Sequence, residues 1–410
     1  MKALVIGNQA LRLVTTKLLS LFAPGAFVGP WSAMQMKEIP DPKLPAEDWV
    51  VADTQLCGLC GSDYKQVFMN GQIDNPMTSM ISWPQVLGHE VVGVVSKVGS
   101  QVKQRKVGER VLLNPWLSCV TRGVQPLCEY CQQGRLAQCL SFGRGYVERG
   151  IHHGNSATAT GGFAQKVPAH ESQWFPIPDG ISNEQAVLAD PFSVSFHAIL
   201  KAPPPPHGTA LVYGCGTLGL LAIAILRALW PTTRIYAVAR YEHQKKLALQ
   251  FGAHKVFDHR PTQAIVEGVA KELNCELNMP WMGLPMINGG LDCVYDTVSS
   301  SETMEVGIRI LKTGGALLVI GVEPSRRFEW TPIYFKELRI FGANGFGIEE
   351  YEGRRMHGME WYFEFIQQGK IDVTPIITHR YAMSDYKQAF MTCFRQGDHG
   401  AVKVLFNRFA

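Results

Sequence analysis

Cysteine, histidine and glycine carry most of the chemical information in this chain. Cys119, Cys128, Cys131 and Cys139 fall within 21 residues, where an even scatter of ten cysteines over 410 residues would put about half of one. Their spacing is C-x8-C-x2-C-x7-C. A C-x2-C pair with two further thiolates suits one tetrahedral Zn²⁺ in a structural site. Disulfides are the alternative, and they need an oxidising compartment. A second group lies upstream, in Cys57-Gly-Leu-Cys60-Gly-Ser-Asp63 followed by Gly88-His89-Glu90. Cysteine, histidine and carboxylate form the ligand set of a catalytic zinc that keeps one position open. Taken alone, this C-x2-C could equally be a redox pair. The third group is Gly214-Cys215-Gly216-Thr217-Leu218-Gly219. Glycines there permit a tight turn and bring the backbone close to a pyrophosphate at a helix N-terminus. About 20 residues on, an NAD site carries an acid for the ribose 2′-hydroxyl. Here Ala239, Arg240 and Tyr241 occupy that place. A small neutral residue beside a guanidinium suits a 2′-phosphate, so NADP is expected ahead of NAD. The plain alternative for Arg240 is a solvated surface side chain.

These groups need elements to hold them. TALVYG (209–214) is an apolar strand run, TLGLLAIAILRALW (217–230) a helix, RIYAVA (234–239) a second strand and EHQKKLALQFGA (242–253) a second helix. KVFDH, LDCVYDT, ALLVIG and LRIFGA supply four more strands, most separated by helical stretches. That alternation predicts an α/β, doubly wound parallel sheet over 192–342. The prolines of KAPPPPHG (201–208) punctuate its start. Residues 1–190 instead show short runs between glycines, such as WVVADTQL and EVVGVVSKVG, and predict β structure. A mostly β catalytic domain is therefore expected over 1–191 and 343–410, with one amphipathic helix near 351–368.

In order along the chain, CGLCGSD, GHEVVGVVSKVG, the four-cysteine lobe, GGFAQ (161–165), LADPFSVSFHA (188–198) and GCGTLG resemble the zinc-dependent alcohol dehydrogenases. These are medium-chain dehydrogenases, among them sorbitol, threonine and secondary-alcohol dehydrogenases. The resemblance covers nearly the whole chain except about 11–33 and 275–289. It implies a GroES-like catalytic domain beside a Rossmann domain, and two zinc ions per chain. It also implies catalytic-zinc ligands Cys60, His89 and Asp190, with Glu90 as an exchangeable ligand. Ser62 matches the hydroxyl that relays the substrate proton, and Asp63 the carboxylate that orients the zinc histidine. Lys403 aligns with a basic residue that meets the cofactor pyrophosphate in some members. The substrate implied is a small alcohol, aldehyde or ketone, and the assembly a homo-oligomer, dimer or tetramer. Departures stand beside the likeness. Lys65 replaces a histidine that ends the proton relay in many members. Gln125 stands where the family's first lobe cysteine falls, so the loop Val120–Leu127 must curl back to bring in Cys119. Residues 11–33 have no counterpart.

Lesser candidates remain. His152-His153 sits in a glycine-bearing loop and reads as solvated, and His197 reads as a packing residue between the domains. Trp83, Trp116 and Phe142 lie near the metal motifs as pocket walls or plain core. Two other functions share these features: a zinc-free quinone or enoyl reductase, and a non-enzymatic nucleotide-binding scaffold. Hydrophobic residues at 46% and charged residues at 18% exclude a disordered chain. A net charge of +4 without a basic block gives no sign of a nucleic-acid partner. No apolar run reaches the roughly 18 residues of a membrane span, so no membrane partner is expected. Near the start, Lys2, Arg12 and Lys17 accompany an apolar patch, which hints at a secretory signal. Pro24 and Gly25 interrupt it, and the expectation is a hairpin or short helix on the first strand of a cytoplasmic enzyme.

Overall fold

The computed structural model describes residues 1–71, 74–323 and 327–409. Chain contacts divide it into two compact units. The first holds Met1–Asp190, Phe346–Ile348 and Ile377–Ala410, and the second holds Pro191–Gly345 and Glu349–Ile376. Residues 349–376 thus group with the second unit, where the sequence assigns them to the first.

The second unit follows from its apolar runs. Thr209–Tyr213, Arg234–Ala239, Lys255–Asp258, Leu291–Asp296, Leu311–Val319 and Arg339–Gly342 form one six-stranded sheet, and every neighbouring pair is parallel. Helices Thr217–Leu229, Glu242–Gln250, Thr262–Leu273 and Ser301–Ile310 connect successive strands. Covered on both faces, the central strands must be apolar throughout, and Ala210, Leu211, Val212, Cys293 and Val294 are buried. From Thr209–Tyr213 the chain winds one way through Arg234–Ala239, and later the other way from Leu291–Asp296. Those two strands are neighbours, so the topological switch lies between their carboxyl ends.

The first unit builds a seven-stranded sheet whose central strands are largely buried. Along its main path the order is Ile377–Ala382, Lys403–Arg408, Trp49–Gly58, Glu90–Val98, Arg110–Leu113 and Trp174–Pro176, with Lys166–His170 also paired to Trp49–Gly58. A second, three-stranded sheet places Lys2–Ile6 between Met34–Glu38 and Gln85–Val86. Lys403–Arg408 lies in the interior of the larger sheet, beside the strand that leads into Cys60.

The helix expected over 351–368 is shorter. Ile348–Tyr351 and Arg354–His357 form a two-stranded ribbon, and the helix runs Gly358–Gln367. Glu352 and Gly353 turn the ribbon with positive φ of 49° and 72°, the geometry of a tight hairpin. His357 then caps the helix by accepting from Met359 N–H, while Glu360 reaches back to His357 N–H.

Candidate functional site

The strand Trp49–Gly58 delivers Cys57 and Cys60 to a turn from which the helix Gly61–Val67 begins. Asp63 sits in the first turn of that helix and is buried. One of its oxygens accepts from Cys60 N–H at 3.0 Å. The other accepts from Gly88 N–H at 3.2 Å and stands 3.7 Å from His89 Nδ1. A single carboxylate thus ties the cysteine turn to the histidine turn and faces the imidazole. Gly88 has φ +87°, and a Cβ there would press on Phe163 and Cys57 Sγ. Only glycine fits that bend without strain.

Among the described residues, the ligand atoms of Cys60, His89 and Glu90 lie within 4.8 Å of one another. Asp190 is outside that set but close enough that the charges of His89 and Glu90 act on it. Burial, and then neighbouring carboxylates, push its pKa up to about 7 against the pull of His89 and Lys403. Its Oδ2 is buried without a hydrogen-bond partner. An orphaned acceptor beside a thiol, an imidazole and a carboxylate fits a divalent cation of zinc's type. His89 is raised well above its usual value, because Asp63 and then Cys60 outweigh the cost of burial.

Glu90 has a second partner. Lys403, buried, forms an ion pair with it and donates to the Leu59 carbonyl at 3.2 Å. Gly58 makes room, since a Cβ there would overlap the Glu90 carboxylate. Lys403 belongs to the first unit and is paired with Glu90. Ser62 stands exposed in the first helical turn, two residues after Cys60.

His152 differs from its expectation as a solvated residue. Its ring centre is 4.7 Å from that of His89, and Trp116 meets it edge-on at 5.7 Å. Trp116 in turn packs edge-on against Phe346 at 5.7 Å. His152 Nδ1 faces the His153 carbonyl. A carbonyl only accepts, so the proton sits on Nδ1 and Nε2 is left as an acceptor. Burial, then the charge of His89, lower its pKa to about 3, which keeps it neutral. Nothing in the sequence pairs residue 152 with residue 89. Phe346 was missed altogether because it lies outside every motif. His197, expected to pack between the domains, instead has Nδ1 2.8 Å from Glu349 Oε1 inside the second unit. Trp83 packs on the apolar core of the first unit.

The four lobe cysteines also converge, with sulfurs within 4.8 Å of one another. Cys119 Sγ is 3.6 Å from Cys139 Sγ, so the loop does curl back. Backbone N–H groups of Cys128, Ser141 and Cys119 donate to the sulfurs of Cys119, Cys139 and Cys131 at 3.4, 3.3 and 3.5 Å. Such donors favour thiolate. The Cys131 thiol hydrogen-bonds Cys139 and brings its pKa down to about 5, while Cys131 itself is raised. Four converging sulfurs, with Cys139 favoured as thiolate, fit one zinc ion.

In the second unit, Gly214 follows its strand with φ +90°, Gly216 caps the helix Thr217–Leu229, and Leu218 C=O accepts from Ser195 Oγ at 3.0 Å. A methyl group at 219 would collide with the Gly214 carbonyl, so the helix enters hard against the turn. Thr297 Oγ1 donates to the Gly214 carbonyl at 3.1 Å and fixes the switch point. Ala239 is buried at its strand end, Arg240 is exposed over the Tyr241 ring at 5.3 Å, and Tyr241 stacks on His243.

A strand–glycine turn–helix at a switch point, joined in one chain to a cysteine–histidine–carboxylate cluster, defines a metal- and dinucleotide-dependent oxidoreductase class. A family model described as "Alcohol dehydrogenase GroES-like domain" matches residues 46–179, and one described as "Zinc-binding dehydrogenase" matches 217–357. An L-idonate 5-dehydrogenase of Vitis vinifera is 29% identical over 85% of this chain and 85% of its own. A sorbitol dehydrogenase of Arabidopsis thaliana is 28% identical over 85% of this chain and 86% of its own. The crystal structure of 2R,3R-butanediol dehydrogenase from Bacillus subtilis has the same fold, with a TM-score of 0.72, 23% identity and 99% of each chain covered. The chain belongs to the zinc-dependent alcohol dehydrogenases of the medium-chain superfamily, enzymes that use zinc and a nicotinamide dinucleotide.

Proposed function

We propose that the protein oxidises a secondary hydroxyl of a polyol or vicinal diol, or reduces the matching carbonyl, with NADP preferred over NAD. The convergence of Cys60, His89 and Glu90 within 4.8 Å carries the reading. It favours a zinc enzyme over a zinc-free reductase, which has no use for such a cluster. The names of the relatives, sorbitol and L-idonate dehydrogenases, supply the polyol class.

Cys60, His89 and Asp190, with Glu90 beside them, would hold a zinc ion, which supplies Lewis-acid polarisation of the substrate oxygen. A nicotinamide dinucleotide supplies the hydride acceptor. The chain's own residues do the rest. Asp63 orients His89. Ser62, exposed next to the cysteine turn, takes the hydroxyl proton and passes it to solvent. Lys65, a protonated amine, cannot receive it. Lys403 pairs with Glu90 and holds it in place. His152 Nε2 offers an acceptor to a second hydroxyl, which suits a diol. Gly214, Gly216, Thr217, Leu218 and Gly219 would cradle the pyrophosphate at the helix N-terminus. Cys119, Cys128, Cys131 and Cys139 would hold a second, structural zinc.

For the cofactor, Ala239 offers no carboxylate to a ribose, and the Tyr241 ring lies under Arg240 and stacks on His243. Arg240 makes no ion pair with a carboxylate among the described residues, which leaves its guanidinium to a 2′-phosphate. Measured as kcat/KM on a panel of polyols, NADP is expected to lead by about tenfold, the worth of one charge-assisted contact. Ala239→Asp with Arg240→Ala reverses the order. Equal or better efficiency with NAD in the unaltered enzyme would overturn the NADP assignment. Cys60→Ser removes turnover and spares dinucleotide binding, and a Cys60→Ser enzyme of near-full activity would sink the zinc reading.

A further inference from the structure

Ile6 and Met34 are register partners in an antiparallel pair, so residues 7–33 leave the sheet and return to the same point. The excursion carries the helix Ala10–Ser20. Leu13 packs the helix on the core of the first unit, but most of its apolar residues face out. Its buried residue is Thr16, 1% exposed, whose hydroxyl donates to the Trp31 carbonyl at 3.3 Å. Arg12 Nη1 is turned the same way, onto the Ser32 carbonyl at 3.1 Å. The outer side is apolar. Leu11 is 80%, Leu18 58% and Phe22 90% exposed, with Val14 between them, and at helical spacing these four lie on one stripe. Trp31 stands out nearby, 66% exposed.

Charge says what covers this face. The excursion, residues 7–33, contains Arg12 and Lys17 and neither Asp nor Glu, and the first acid after it is Glu38, the register partner of Lys2. We propose that the excursion lays its apolar helix face into the headgroup boundary of an anionic lipid surface. Binding of that kind grows with buried apolar area and with attraction between basic residues and acidic headgroups. Aromatic side chains such as Phe22 and Trp31 favour that depth. A second copy of the chain fits less well. Two such excursions bring like charges together. An 11-residue helix about 16 Å long and ~10 Å across offers a face on the order of 160 Å², and two such faces fall well short of the roughly 1,000 Å² that a stable interface buries. The absence of a spanning helix among the described residues does not bear on a helix that lies flat. The expectation of no membrane partner rested on span length alone.

The test is co-sedimentation of the full chain with vesicles of phosphatidylcholine alone and of phosphatidylcholine with phosphatidylserine. Binding is expected to the anionic vesicles and little to the neutral ones. It should drop by at least about fivefold on raising salt and in the Leu11→Ser/Leu18→Ser variant. Both leucines are exposed, so the variant keeps the melting temperature and dehydrogenase activity of the unaltered protein. Leu249→Ser, an exposed leucine on the second unit, serves as the control that leaves binding unchanged. No sedimentation with anionic vesicles, or equal sedimentation of the double variant, overturns the proposal. So does self-association that the double variant abolishes while vesicles bind neither protein, since a second copy would then cover the face.

Discussion

Asp190 brings a carboxyl into a site with no hydrogen bond for its Oδ2 and with Glu90 and Asp63 nearby. Without a cation, its folded pKa of about 7 exceeds the unfolded value near 4. The folded state then holds a proton that the unfolded state gives up, so stability falls as pH rises between those values. Asp63 and His89, also raised, push the same way. Metal-free protein is expected to melt lower at pH 8 than at pH 5, and Asp190→Asn should narrow that gap. Thermal scans of chelated protein at both pH values check this. A gap unchanged in Asp190→Asn would mean the carboxyl is not the strained group. At this scale the sequence named Cys60, His89 and Glu90 because their types and motifs announce ligand chemistry. It read His152 as solvated and left out Phe346, because their proximity to the cluster exists only after strands far apart in the chain are assembled.

The lobe shows how an element makes a departure from the usual spacing workable. Cys119 lies well before the position where the family places its first cysteine. The loop after it turns back, with Val124 N–H on the Cys119 carbonyl at 2.9 Å and Arg122 pinned to the carbonyls of Leu117 and Val147 at 3.1 and 3.0 Å. Cys128→Ser should therefore lower the zinc content by one ion per chain and the melting temperature by several degrees, since structural zinc contributes folding free energy directly. Cys119→Ser should do the same. Metal analysis that finds no change in Cys119→Ser would remove it from the site. The sequence made the strands of the second unit legible because each is a short apolar run buried on both faces. It overextended the helix near 351–368 because Trp361, Tyr362, Phe363 and Phe365 set a helical rhythm. Two residues, Glu352 and Gly353, are enough to make its first part a ribbon.

Over the whole molecule, the two units differ in how the chain builds them. The second is nearly continuous, from Pro191 to Ile376 apart from Phe346–Ile348. A fragment of residues 191–376 is expected to melt cooperatively and to retain dinucleotide binding, whereas a fragment of residues 1–190 is not. Circular dichroism melts of both fragments check this, and a sharp transition for 1–190 would contradict it. The reason lies in Lys403–Arg408, which completes the sheet against Trp49–Gly58 and brings Lys403 to Glu90. During synthesis, at ~5–20 residues per second, the ribosome makes Trp49–Gly58 on the order of tens of seconds before its partner strand. For that interval the nascent chain exposes an open strand edge, and the Glu90 carboxylate lacks its ammonium. The part begun first is finished last, so this enzyme's exposure to aggregation and chaperones falls on the half that carries its cysteine–histidine cluster, and damage to residues 403–408 reaches that cluster directly.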